Sequence, residues 1–142
     1  MKNKASIMNR LYTKHTSYIV DMELKYNITF ILGDSGTGKS AMFSFIEELA
    51  TEDKRIRCFD YRSKNIRYSD SIKKSKGKVF VIDNADILLD DKLRKHIGQD
   101  VNNQYVIIGR NPTGLRLLSD NIYELISNQK DDRTVFSLKE VG

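Results

Sequence analysis

The stretch Asn27-Ile28-Thr29-Phe30-Ile31-Leu32-Gly33-Asp34-Ser35-Gly36-Thr37-Gly38-Lys39-Ser40-Ala41 decides how this chain reads. Residues 27–32 form a near-continuous apolar run with β-branched and aromatic members, as expected of a strand buried on both faces. After Lys39 the pattern changes. Met42, Phe45, Ile46 and Leu49 recur at i, i+3, i+4 and i+7, which predicts a helix with one apolar face. Residues 33–40 between them fit G-x-x-x-x-G-K-[ST]. Three glycines let a backbone wrap closely around an anion with its N–H groups pointing inward, where side chains would block the approach. A helix beginning near Lys39 adds the positive end of its dipole. The candidate phosphate-binding residues are therefore Gly33, Asp34, Ser35, Gly36, Thr37, Gly38, Lys39, Ser40 and Ala41. Lys39 is placed to reach β- and γ-phosphates, and the Ser40 hydroxyl to ligate Mg²⁺.

Three further apolar runs flank this core: Arg55-Ile56-Arg57-Cys58-Phe59-Asp60-Tyr61, Lys78-Val79-Phe80-Val81-Ile82, and Tyr105-Val106-Ile107-Ile108. Helical spacing returns from Asp91 to about Asn102, where Leu93, Ile97 and Val101 share a face, and a weakly patterned helix is read over 64–76. Strands alternating with helices predict right-handed crossovers and an α/β fold: a mainly parallel sheet with helices on both faces. The ends differ. Tyr18–Leu24 alternates apolar and polar residues, and Lys25-Tyr26-Asn27 is read as turning it back onto the first buried strand. Ile122–Ile126 and Thr134–Leu138 flank the polar loop Asn128–Asp132. Antiparallel edge strands are thus expected at both termini.

The run ending Val81-Ile82-Asp83 delivers a carboxylate where an open α/β sheet places its ligand, so Asp83 is the second candidate Mg²⁺ ligand, opposite Ser40. At this point residues 28–111 resemble P-loop NTPases, with Walker A at Gly33–Ser40 and Walker B at Asp83. Asp83-Asn84-Ala85-Asp86 looks like the box of the additional-strand branch, which includes AAA+, STAND, RecA-like and packaging ATPases. Gly109-Arg110-Asn111 looks like that branch's sensor strand. The resemblance implies a three-layer sandwich in one P-loop nucleotide-binding domain over 1–142, binding ATP and Mg²⁺. It also implies catalytic roles for Lys39, Asn111, Arg110 and Asp86. Asn111 matches the residue that touches the γ-phosphate or the attacking water, and Arg110 is open between an arginine finger, a surface charge and a partner for Asp86.

The departures carry as much information. Asn84 stands where the family places a catalytic Glu, and an amide orients a water without accepting its proton. Asp86 is the substitute base or, on the plainer reading, the N-cap of the segment starting Ile87-Leu88-Leu89. Slow hydrolysis is the expectation. No Leu-Ser-Gly-Gly-Gln signature is present and no AAA+ lid is expected; the Asn/Thr-Lys-x-Asp base-recognition element is also missing, which favours ATP over GTP. The first function is a minimal ATPase, a hydrolase whose nucleotide state controls a partner. One alternative is a small P-loop kinase with Asp60 near its acceptor, although a turn-forming or salt-bridged Asp60 is the plainer reading. The other is a non-catalytic, nucleotide-bound inhibitor or adaptor of a nucleic-acid machine, of phage or mobile-element type.

Composition sets the outer limits. The 142 residues are 39% hydrophobic and 30% charged with one proline, which excludes collagen-like, low-complexity and largely disordered classes. No run approaches the roughly 18 apolar residues of a membrane span, and Met1–Arg10 lacks a signal-type apolar stretch. A cytoplasmic protein without a membrane partner is expected. Cys58, the single cysteine, cannot form an internal disulfide and is read as a small core hydrophobe, and His15 and His96 have no partner at metal-ligand spacing. The net charge of +5 is uneven: residues 54–78 carry ten basic and two acidic side chains. Such a block suits a protein partner or nucleic acid, or simply a solvated face. Tyr61 and Tyr68 within it, and Tyr12 and Tyr18 within the basic residues 1–27, are available for base stacking or read equally as sheet-edge tyrosines. Oligomeric state stays open.

Overall fold

The computed structural model describes residues 4–33, 38–65 and 67–141. The four apolar runs form strands β3 (Ile28–Leu32), β4 (Ile56–Phe59), β5 (Val79–Ile82) and β6 (Gln104–Gly109). Two strands precede them, β1 (Arg10–Lys14) and β2 (Tyr18–Glu23), and two follow, β7 (Ile122–Lys130) and β8 (Arg133–Glu140). The helices are α1 (Lys39–Ala50), α2 (Tyr68–Lys74), α3 (Ala85–Leu88) and α4 (Asp91–Gln99), with short 3-10 turns at Tyr61–Asn65 and Ser119–Asn121.

All eight strands join one sheet in the order β1-β2-β8-β7-β3-β6-β5-β4. The ladders β4–β5, β5–β6, β6–β3, β3–β7 and β2–β8 are parallel, whereas β1–β2 and β7–β8 are antiparallel. Successive residues of the central strands go to opposite faces, which is why those strands read as unbroken apolar runs. Ile31, Val79, Val81, Val106 and Ile108 pack with Met42, Phe43 and Ile46 of α1. Phe30, Phe80, Ile82, Tyr105 and Ile107 pack on the other side with Ile72 of α2, Leu88 of α3, and Leu93 and Ile97 of α4. Each such fully buried aliphatic or aromatic side chain contributes about 1.5–3 kcal/mol.

This architecture corrects the expected three-layer sandwich, a mainly parallel sheet with antiparallel strands confined to its edges at the two termini. The sheet is mixed, and the C-terminal strand lies inside it: β8 is held by β7 on one side and, in parallel, by β2 on the other. The sheet is also curled. α1 packs against β4 at one end of the strand order and against β1 and β2 at the other, so it sits in a concavity rather than in a flat outer layer. Phe45 of α1 accordingly meets His15, Tyr18 of β2 and Phe136 of β8. The other helices are short, of seven, four and nine residues.

Several local expectations change as well. β2 pairs with β1 and β8 and not with β3, because the strand alternation of residues 18–24 specifies a half-buried face but not a partner. The polar loop expected over 128–132 shrinks to a two-residue turn, Asp131-Asp132, both at positive φ (51° and 64°). That turn geometry matches the right-handed twist of a hairpin. α4 stops at Gln99, which leaves Val101 exposed. The helix over 64–76 is instead a 3-10 turn followed by the shorter α2.

Candidate functional site

Parallel register gathers the sequence-predicted residues. Leu32 pairs with Gly109, Ile107 with Ile82, and Ile82 with Phe59. The ladder runs one step further at Gly33, whose N–H donates to the Gly109 carbonyl at 3.2 Å, and at Asp83, whose N–H donates to the Phe59 carbonyl at 2.8 Å. Gly33, Asp83, Arg110 and Asp60 therefore leave the sheet at one edge, where strands of this kind present ligands. A cavity of about 190 Å³ opens there, lined by Gly33, Lys39, Ser40, Asp83, Asn84, Asp86, Ile108, Gly109 and Arg110. Asp34, Ser35, Gly36 and Thr37 lie outside the described residues. Ala41 lies in the first turn of α1, half-buried.

Lys39 is only 8% exposed, and a lysine so buried needs an anionic or hydrogen-bonding partner in place of water. Its side chain lies against Gly33 so closely that a Cβ there would overlap the terminal Cε and Nζ. Gly38 precedes α1 at φ 86°, and a Cβ on it would come within 2.8 Å of a Phe136 ring carbon. Two of the three glycines thus have separate steric reasons, one toward the ammonium and one toward β8.

Asp83 is half-buried, with a carboxylate oxygen accepting its neighbour Asn84's N–H at 2.8 Å. Burial pushes its carboxyl above the usual range and Asp60 adds to this, while the Asn84 N–H and Lys39 act in opposition. Asn84 adopts a left-handed backbone (φ 54°), and its side-chain oxygen accepts the Tyr61 N–H at 3.0 Å. The amide oxygen that replaces the expected glutamate is therefore tying the β5 end to the β4 end.

Asp86 sits in the first turn of α3, not at its N-cap, which is Asn84. Its two oxygens accept the backbone N–H groups of Arg110 (2.9 Å) and Asn111 (3.0 Å), and Arg94 lies 3.6 Å away. Arg110 lines the cavity rim. Asn111 is not among the described residues that line it: its side-chain oxygen accepts the Thr113 N–H at 3.1 Å, closing a turn. Asp60, 6% exposed, receives Arg62 through both its backbone N–H (3.0 Å) and its guanidinium, which also reaches Glu47 of α1 at 2.7 Å.

Two residues of this region escaped the sequence. Arg94 looks like an ordinary surface residue of an amphipathic helix, yet it is 5% exposed; its position beside Leu93 was the available signal. Tyr61 contributes through its backbone, which leaves no trace in residue identity. Within the basic block, Arg55 pairs with Asp53 and Arg62 with Asp60 and Glu47, both at the surface, and Arg57, Lys64, Arg67, Lys73, Lys74 and Lys76 are exposed as well.

Among the described residues, no group of three or more His, Cys, Asp or Glu side chains is arranged to hold a metal ion. None of their helices is long and apolar enough to cross a membrane. No protein-family model matches the chain. No curated protein matches it. Among solved structures it is similar to a chain in the crystal structure of the complex of archaeal ribosomal stalk protein aP1 and archaeal ribosome recycling factor aABCE1. The TM-score is 0.45 at 11% identity, covering 96% of this chain and 39% of that one. The chain thus spans well under half the length of that neighbour.

Proposed function

We propose that this chain binds a magnesium nucleoside triphosphate, ATP in preference to GTP, hydrolyses it slowly, and uses the bound state to control a partner. One observation carries the proposal: a nearly buried ammonium, Lys39, shares a cavity with Gly33, Ser40 and Asp83 at the C-terminal edge of parallel strands. A polyanion entering there meets a desolvated cation, which is worth more in that setting than in water. The residues suit Mg²⁺ as well. It is commonly held by one or two protein oxygens with phosphate and water completing its shell, and the Ser40 hydroxyl and Asp83 carboxylate are the oxygens on offer. Bound there, the ion would neutralise phosphate charge.

Slow turnover follows from how the other polar groups are engaged. The Asn84 oxygen holds Tyr61 and both Asp86 oxygens hold backbone amides. An amide cannot accept the proton of an attacking water, and the Asp86 carboxylate is held in place by two loop amides and Arg94. The exposed cations Arg57, Lys64, Arg67, Lys73, Lys74 and Lys76 form the surface offered to an acidic partner or nucleic acid.

Calorimetric titration with Mg-ATP and parallel phosphate release test the proposal. Lys39→Ala should weaken binding roughly 10- to 100-fold, the worth of a charge-assisted contact. Gly33→Ala should do the same by displacing the Lys39 ammonium, with little change in melting temperature. Unaltered affinity in Lys39→Ala would overturn the nucleotide assignment.

A further inference from the structure

Arg94 carries a charge into the core beneath the loop that follows β6. All of its guanidinium nitrogens are engaged. Nε donates to the Leu89 carbonyl at 3.2 Å, Nη1 donates to the Asn111 and Thr113 carbonyls at 2.6 and 2.8 Å, and Nη2 lies 3.6 Å from an Asp86 oxygen. Asp86 then accepts the N–H groups of Arg110 and Asn111. Gly114, at φ 81°, passes so near that a Cβ would lie 3.3 Å from the Arg94 Cβ. One cation thereby joins the end of α3, the start of α4 and the segment Arg110–Thr113. An apolar side chain could fill this volume without the desolvation cost of a buried charge. What it could not do is bind three carbonyls and keep Asp86 in place as the acceptor for two loop amides.

We propose that Arg94 is a positioning residue: acting through Asp86, it holds Arg110–Thr113 so that Arg110 stays at the cavity rim facing the terminal phosphate of a nucleoside triphosphate. This rests on the nucleotide-binding function proposed above, and adds to it a device for distinguishing triphosphate from diphosphate. Arg110 makes the contact, whereas Arg94 touches no ligand. Loss of Arg94 should therefore weaken binding where the terminal phosphate is present and spare it where that phosphate is missing. General loosening of the fold would weaken both alike.

The test compares the wild type with Arg94→Met, Arg94→Lys and Arg110→Gln by calorimetry, using Mg-ADP and the non-hydrolysable triphosphate Mg-adenylyl imidodiphosphate. Amide exchange at Arg110 and Asn111 is followed in parallel. Arg94→Met and Arg110→Gln should each weaken the triphosphate about tenfold and the diphosphate less than about twofold. In Arg94→Met the amides of Arg110 and Asn111 should exchange faster while those of β5 do not. Arg94→Lys keeps the charge but loses the planar fork, and should show a smaller selective loss; it serves as the test if Arg94→Met fails to melt cooperatively. Equal weakening of both nucleotides, no weakening, or unchanged exchange at Arg110 and Asn111 would each overturn the proposal. If the wild type binds neither nucleotide, the nucleotide-binding function fails and the phosphate role of Arg110 with it. Unchanged exchange beside normal wild-type binding would overturn only the Arg94 clamp.

Discussion

Replacing Asn84 by Glu introduces the residue that the sequence resemblance leads one to expect after Asp83, and on sequence grounds alone that change should raise turnover. The structure leads to a different expectation. Asn84 has φ 54° and ψ 41°, a left-handed conformation that costs an ordinary L-residue about 1 kcal/mol and that Asn tolerates. Its side-chain oxygen also accepts the Tyr61 N–H at 3.0 Å, a bond worth about 1 kcal/mol net. Asn84→Glu removes both advantages, so the loss is about 2 kcal/mol. At roughly 2–4 °C per kcal/mol for a domain near this size, the melting temperature should fall about 4–8 °C. Asn84→Gly separates the two contributions, because glycine accepts positive φ freely and loses only the bond. It should cost about half as much. Calorimetric melting of the three proteins, with phosphate release measured on the same samples, is the assay. A Glu variant as stable as the wild type, or a Gly variant as damaged as the Glu one, would refute the reasoning. So would a large gain in hydrolysis without loss of stability.

Gly38→Ala combines positive-φ strain with a Cβ 2.8 Å from the Phe136 ring, and should cost about 2–4 kcal/mol in chemical denaturation. Adding Phe136→Leu should recover part of the loss if the ring contact is a real component. Asp83 holds its proton to a higher pH in the folded chain than in the unfolded one, chiefly through burial. That difference favours the fold fully below the ordinary carboxyl range and is lost as pH rises through the raised value. Asp83→Asn should therefore raise the melting temperature at pH 7, with the gain shrinking on acidification below the carboxyl range, while Mg²⁺-dependent nucleotide binding weakens. A destabilised Asn variant at pH 7 would contradict this. Cys58 is pushed up to about 12 by burial, with Glu47 and Asp60 adding to the effect. At pH 8 only about one thiol in ten thousand is ionised, against roughly a quarter for an ordinary cysteine. Iodoacetamide should label native protein on the order of a thousandfold slower than denatured protein, and comparable rates would show that the thiol is not buried as described.

How much was legible depended on whether the cause of a feature is local. The apolar runs at 28–32, 79–82 and 105–108 announced β3, β5 and β6, and the spacing of Met42, Ile46 and their neighbours announced α1, because side-chain periodicity is a property of one segment. Gly33 and Gly38 were legible as glycines that something required. That Gly33 makes room for the Lys39 side chain and Gly38 for Phe136 was not, since residue 136 is distant in sequence. Asp86 was read as a base or a cap, and its carboxylate in fact holds two amides of a loop that begins 24 residues later.

By itself, then, the sequence determined the buried central strands and the helix after the glycines, each written in neighbouring side chains. Tertiary structure alone decided that β8 enters the sheet between β2 and β7, that the sheet curls around α1, and that Asn84, Asp86 and Arg94 serve as ties between loops. Strand pairing is the physical reason. A strand's alternation says which face is apolar, but its neighbour is chosen by the backbone edges and apolar surface left over once every other element has packed.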